Sequence, residues 1–316
     1  MRDSRLQNRM AESALTFPTC VALTARLWCR PLTGTLWENI TGGVLCLISV
    51  VTLITSDAYC KFVRKHTQFA ECYWLLCVAV MGFFRQGLRE GVVVTLFAAS
   101  FYLLLHTYQQ RKATGTTFNA FALLAMGSMG FPPLLCLCLC YWWYMYAFMR
   151  CLTGRTLMAG LIGLATPFWF VGTWCLWTGQ TEPLQQFAAG FEGLQFPQWG
   201  WYASLTVPHI IGWSLTLLLA LVGSLHYLAN CYDDNISVRM CLYVCVCQTL
   251  VTGGALAFQP TLHVMLLPMA VLSSAPLVSH YFSLSKSRVS HILFILTLII
   301  FAAMAMLRLW MPSFYS

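Results

Sequence analysis

Two arginines in the segment FRQGLRE (84–90) have the type and spacing that bind a phosphate group. A planar guanidinium matches the oxygen geometry of a phosphate and donates two parallel hydrogen bonds to it. Arg85 and Arg89, together with Arg308, are therefore predicted ligands for the pyrophosphate of a polyprenyl-linked sugar. The alternative is a solvated turn whose arginines contact the phosphates of ordinary lipids.

A histidine near the same predicted side of the membrane is a candidate general base. His209 lies in a predicted span, and Glu182 and Glu192 lie in the long loop before it. A positioned imidazole can take a proton during glycosyl transfer. The alternative is that His209, like the other histidines, satisfies local hydrogen bonds or reaches toward the interface.

Two prolines bracket a pair of serines in the tenth predicted span. Pro268 and Pro276 enclose Ser273 and Ser274. A broken helix of this kind can expose backbone carbonyls to a ligand in the middle of a membrane, as in secondary transporters. The alternative is a simple kink in a continuous helix.

The chain has 15 cysteines, but their spacing does not predict a metal centre. It contains neither a Cys-x-x-Cys pair nor a Cys/His arrangement typical of zinc. A buried thiol behaves as a small apolar group and suits contacts between helices. We expect no metal and no cofactor.

The composition predicts a multi-pass helical membrane protein. The 316 residues are 59% hydrophobic and 9% charged, with a mean hydropathy of +0.70, against roughly 25% charged residues in a soluble protein. Long continuous apolar runs exclude alternating barrel strands. The net charge of +8 resides mostly in loops and lacks the interleaved aromatics of a nucleic-acid surface, so we expect no nucleic-acid partner.

The apolar runs predict an all-α transmembrane bundle of about 11 spans (10–11) in one domain, 1–316, preceded by a cytosolic tail, 1–15. The predicted spans are 16–32, 35–55, 69–84, 91–108, 118–131, 133–149, 157–178, 204–228, 238–258, 261–283 and 291–310.

The basic residues predict the orientation. With eleven spans and a cytosolic N-terminus, thirteen lie on the inner side and four on the outer side, with Arg26 inside the first span. The inner residues are Arg2, Arg5, Arg9, Lys61, Arg64, Lys65, Arg111, Lys112, Arg150, Arg155, Arg239, Lys286 and Arg288. The outer residues are Arg30, Arg85, Arg89 and Arg308.

A hairpin broken at Pro132-Pro133 is needed for this asymmetry. A single helix over 118–149 would be about 48 Å long and would exceed the hydrocarbon core. Two spans return Arg150 and Arg155 to the inner side. The short first arm leaves a re-entrant pair as the alternative.

The outer loop 179–203 is predicted to contain a short amphipathic helix on the membrane surface. Thr181 can cap its start, Pro183 suits its first turn, and apolar residues recur from Leu184 at helical spacing. Such a helix either seals the bundle or covers a substrate.

The segments GLIGLATPFWF (160–170) and LPM…SAPLVSHYF (267–282) resemble a family of uncharacterised bacterial polytopic inner-membrane proteins. The resemblance in span order covers most of the chain. It implies a location in the bacterial inner membrane and brings no established activity or catalytic residues.

Three functions agree with these features. The first is an accessory or structural component of the cell envelope, with the lipid bilayer and other membrane proteins as partners. The second is an envelope-glycan enzyme that acts on a polyprenyl-linked lipid at the outer arginines. The third is a small-molecule transporter centred on the tenth span.

Overall fold

The computed structural model describes residues 6–28, 36–63, 67–85, 87–191, 207–285 and 287–310. These ranges contain thirteen α-helices and no strand. The helices are α1 (Leu6–Glu12), α2 (Thr16–Trp28), α3 (Leu36–Cys60), α4 (Phe69–Met81), α5 (Leu88–Leu105), α6 (Thr114–Gly130), α7 (Leu137–Ala147), α8 (Gly154–Thr178), α9 (Glu182–Ala189), α10 (Val207–Asn230), α11 (Ile236–Phe258), α12 (His263–Leu284) and α13 (Arg288–Trp310).

Seven of these helices are long and apolar enough to cross a bilayer, so the chain has the character of a multi-pass membrane protein. They are α3, α5, α8, α10, α11, α12 and α13, of which the apolar stretches of α10 and α12 span His209–Asn230 and Pro260–Leu284. The other four predicted spans coincide with the shorter helices α2, α4, α6 and α7. The all-α prediction is confirmed, and a helix lies at each of the eleven predicted positions.

Helix α12 lies at the centre of the bundle. Every residue from Leu266 to Ser283 is buried, and α4, α5, α10 and α11 pack around the helix. It contains Pro268 and Pro276 and nevertheless runs as one helix. The discontinuous form considered for the tenth span is therefore not the one that the structure shows.

Most of the remaining helices pack on α4 or α5, which lie next to α12. Helices α2 and α13 pack on α4, α3 packs on α5, and α6 packs on α5 and carries α8 on its other side. A helix that is apolar on all sides gives no sequence signal for which face is packed, so this order comes from the structure.

Helix α8 has the strongest local signals for its ends. Thr153 and Thr156 form a reciprocal capping box, with the Thr153 nitrogen 2.8 Å from the Thr156 hydroxyl. Gly179, in the left-handed conformation with φ 68°, ends the helix. In the middle, Gly163 lies so close to α6 that an added Cβ would be 2.5 Å from the Phe118 carbonyl oxygen.

The break at Pro132-Pro133 is present. Helix α6 ends at Gly130, a 3-10 turn spans Pro132–Cys136, and α7 follows. The two arms return to the same end of the bundle, because the Gln109 amide donates to the Met149 carbonyl over 2.9 Å. Residues 118–149 therefore form two helices rather than one.

The predicted surface helix is α9, and it is shorter than predicted. Thr181 precedes it but makes no capping hydrogen bond with its side chain; instead the Gln185 side chain donates to the Thr181 hydroxyl over 3.4 Å. Phe187 packs against Phe168 of α8 with ring centroids 5.2 Å apart. The part of the predicted segment beyond residue 191 is outside the described residues.

Candidate functional site

Arg85, the first of the predicted phosphate ligands, contacts the end of α2. Its Nη1 donates to the Leu27 carbonyl over 3.4 Å, and its guanidinium carbon lies 5.9 Å from the centre of the Trp28 ring. Leu27 is in the last turn of α2, where carbonyls lack a partner within the helix. A cation at this position also stabilises the negative end of the helix dipole.

The other two predicted phosphate ligands do the same for two further helices. Arg89 donates from Nε to the carbonyl of Gly130, the last residue of α6, over 2.8 Å. Arg308 donates from Nη1 to the Ala79 carbonyl, in the last turn of α4. The three arginines thus bind the carboxyl ends of three different helices. The sequence, which predicted phosphate binding, did not indicate this role.

The candidate base His209 lies beside a second histidine. Its ring centroid is 4.8 Å from that of His263, at the first turn of α12. Nδ1 of His263 lies 2.9 Å from the Pro260 carbonyl oxygen. Glu182 begins α9, and Glu192 is outside the described residues.

The proline in the middle of α12 has a specific polar partner. Pro276 has no amide proton, so the carbonyl four residues earlier, at Leu272, loses its helical donor. The hydroxyl of Tyr102 on α5 donates to that carbonyl over 2.8 Å. Tyr102 thereby satisfies a buried acceptor and joins α5 to α12.

A second polar contact joins α12 to α11 at the same depth. The hydroxyls of Ser273 and Thr252 are 3.1 Å apart. One turn away on α11, the Gln248 side-chain oxygen accepts from the Tyr144 hydroxyl over 3.2 Å. The aromatic run of α7 therefore directs Tyr144 into the core, where its side chain is fully buried.

The carboxyl-terminal end of α12 carries a buried acid–base pair. His280 Nε2 lies 3.0 Å from a carboxylate oxygen of Asp234, in the turn between α10 and α11, and both side chains are buried. The rings of Tyr227 and His280 meet edge to face at 5.1 Å. Sequence spacing did not predict this pair, because its members are 46 residues apart.

Two further contacts fix the same end of α12. The hydroxyls of Thr67 and Ser283 are 3.0 Å apart. Gln7 of α1 donates to the Phe282 carbonyl and, over 3.3 Å, to the Ser290 hydroxyl of α13. The start of the chain is therefore packed against the ends of α12 and α13.

Glu71 is a buried acid that the sequence reasoning missed. It lies in the first turn of α4 with 2% of its surface exposed, and its Oε2 has no hydrogen-bond partner among the described residues. Its carboxyl group interacts electrostatically with the side chains of Asp57 of α3 and Tyr102 of α5. The available signal was an ionisable residue inside an apolar span, which is by itself a functional candidate.

Nine of the fourteen described cysteines are buried in the bundle, whereas Cys136 is exposed. The thiols of Cys20 and Cys72 are in contact, as are those of Cys60 and Cys241. Within the described part of the chain, no three histidine, cysteine or acidic side chains come together as a metal ion would require.

The ends of the helices form two groups. The Arg85, Arg89, Arg308 and His209 contacts join ends that the charge pattern places outside. The Gln109, Thr67, Asp234 and Gln7 contacts join ends that it places inside. Comparison of the chain with protein families, curated proteins and solved structures gave no match.

Proposed function

We propose that the chain is a structural or accessory membrane component in which α12 is a fixed central post. The observation that carries the proposal is the set of polar contacts on this helix. Side chains from α5, α11, the α10–α11 turn, the segment before α4, and α1 each bind a different point of α12.

These contacts oppose a sliding or rocking motion of α12. A side-chain hydrogen bond between helices in lipid contributes about 0.6 kcal/mol on average and at most about 1–2 kcal/mol. Each contact is modest, but the five lie along the helix from Leu272 to Ser283, so a displacement along its axis breaks all of them together. Buried polar networks that are satisfied specify one packing.

Transport is the second candidate, and Glu71 is the observation that favours it. A carboxyl group buried in a membrane bundle is costly and is characteristic of ion or proton pathways.

The enzyme hypothesis rests on the outer arginines. A guanidinium has five N–H donors, so a helix-end carbonyl on one of them is compatible with a lipid phosphate on others.

Cysteine accessibility along α12 distinguishes a fixed post from a transport pathway. In a background without native cysteines, single cysteines replace Ser273, Ser274 and Ala270. We expect none of them to react with a charged, membrane-impermeant thiol reagent, because α12 is buried along this length. Cysteine at the exposed Gln180, in the predicted outer loop, is the positive control. Reaction of the α12 positions would show a water-filled path and would favour transport.

The proposal includes eleven crossings, a cytosolic N-terminus and the inner membrane of a bacterium. It is supported by the excess of basic residues on one predicted side and by the contacts among ends of the same predicted side. A periplasm-active reporter is expected to work when fused after Gln195 or Ser316 and to fail after Lys65 or Asp234. Cytosolic signals at Gln195 and Ser316, with Lys65 inside, would show that residues 118–149 cross once.

A further inference from the structure

An apolar cavity of about 250 Å³ lies between α2, α4, α12 and α13. Its wall includes Leu23, Leu76, Val278, Phe294 and Phe301. We call this space the inner chamber.

The threonine hydroxyls of the inner chamber donate to backbone carbonyls. The Thr19 hydroxyl donates to the Thr16 carbonyl over 2.8 Å. The Thr297 hydroxyl donates to the Leu293 carbonyl over 2.8 Å. Because these donors are used within their own helices, the chamber recognises an apolar group by shape.

A second cavity of about 280 Å³ adjoins the inner chamber and has a more polar wall. The two cavities share Met10, Thr16, Phe69 and Cys72. The remaining wall is formed by the turn between α1 and α2 and by Gln68. The result is an apolar chamber that continues into a polar mouth.

The position of the mouth fits a membrane interface. It lies where Gln7 holds α1 against the ends of α12 and α13, at the end of the bundle predicted to face the cytosol. Arg9 of α1, the residue before Met10, is exposed. The inner chamber reaches the outer surface of the bundle beside Leu23, which is 40% exposed.

We propose that the inner chamber and its mouth bind a lipid, with an acyl chain in the chamber and the polar head at the α1–α2 turn. An apolar protein cavity of about 150 Å³ is large enough to bind benzene, so the chamber holds a longer segment of hydrocarbon. A lipid tail gains little by leaving other tails. The gain comes from the van der Waals contacts that the tail makes with the wall of the chamber.

The experiment uses the full-length chain in nanodiscs and a fatty acid with a photoreactive group near its methyl end. We expect labelling of peptides from α2, α4 and α13 that saturates and that unlabelled fatty acid competes away. The exposed face of α8, where Trp169 is 74% exposed, is the control for contact with bulk lipid. Labelling of the chamber that is as unsaturable as that of α8 would overturn the proposal.

Two substitutions that fill the chamber test the location. Leu76→Trp and Thr297→Phe should each raise the concentration of competitor needed by about tenfold or more, a loss of about 1.4 kcal/mol. Leu161→Trp on the lipid-facing side of α8 is the matched control and should change nothing. Folding is checked by the thermal midpoint of each variant, and Thr19→Phe, at an exposed wall position, serves if a buried variant unfolds. Unchanged competition in a folded filling variant would contradict the site.

The chemical source of the chain is identified with two further probes. Unlabelled phosphatidylglycerol, phosphatidylcholine and free fatty acid of the same chain length are compared as competitors of the photoreactive fatty acid. Competition by a phospholipid assigns the mouth to a lipid headgroup, and competition by the fatty acid alone assigns it to a carboxylate. Competition by none of the three would overturn the proposal.

Discussion

Replacing Asp234 with alanine is expected to lower the free energy of unfolding by about 1–3 kcal/mol, the usual cost of taking a hydrogen bond from a buried polar group. Removing one member of a buried pair takes a hydrogen bond from the other member in a low-dielectric surrounding, where water does not replace it. His280 would be that other member, since its Nε2 lies 3.0 Å from the Asp234 carboxylate. The measurement is denaturation of the purified chain in mixed micelles.

The neighbouring residue provides the control for this prediction. Tyr232 is 82% exposed, and Tyr232→Ala should change stability by less than about 0.5 kcal/mol. The double variant Asp234→Leu with His280→Phe should recover most of the loss, because apolar groups of similar volume replace a buried pair at little cost. A loss in the double variant equal to the sum of the losses in the single variants Asp234→Leu and His280→Phe would show that the two side chains are not coupled.

The sequence predicted the helices because each apolar run is long and is bounded by charge, proline or glycine. The break at Pro132-Pro133 was predicted for the same reason, since its signal is local. Thr181 shows the limit of such signals: it has the right type and position for a cap, but its hydroxyl instead accepts from Gln185.

The polar contacts of the bundle could not be predicted from the sequence, because their partners are distant in the chain or are backbone atoms. The carbonyls that bind Arg89 and Arg308 have no side-chain signature. Asp234 and His280 are in different elements, and only packing of the α10–α11 turn against α12 brings them together. Glu71 did have a signal, since an acid two residues into an apolar span is unusual.

The central position of α12 could not be predicted from the sequence either. Its composition resembles that of the other spans, and its prolines were compatible with either a kink or a break. The structure shows why the helix continues: Tyr102 supplies the donor that Pro276 removes, so the freed carbonyl of Leu272 is satisfied without unwinding. A hydroxyl from another helix, rather than a feature of α12 itself, decides between kink and break.

Two glycines of α8 are expected to respond to the same substitution with opposite signs. Gly163 faces α6, and a Cβ there would lie 2.5 Å from the Phe118 carbonyl oxygen, whereas Gly172 has no atom within 4 Å of the corresponding point. Gly163→Ala should therefore destabilise the chain by about 1–3 kcal/mol, the usual cost of overpacking a close contact. Gly172→Ala should be neutral or stabilising by up to about 1 kcal/mol, because alanine restricts the unfolded backbone.

The comparison within one helix separates packing from helix propensity. Both substitutions add the same methyl group to the same helix, so a difference between their thermal midpoints in one detergent measures the close approach of α6 and α8. Gly163→Leu should enlarge the loss, since a larger side chain pushes α8 further from the helix that carries it. Equal midpoints for Gly163→Ala and Gly172→Ala would mean that α8 is not held against α6 at Gly163.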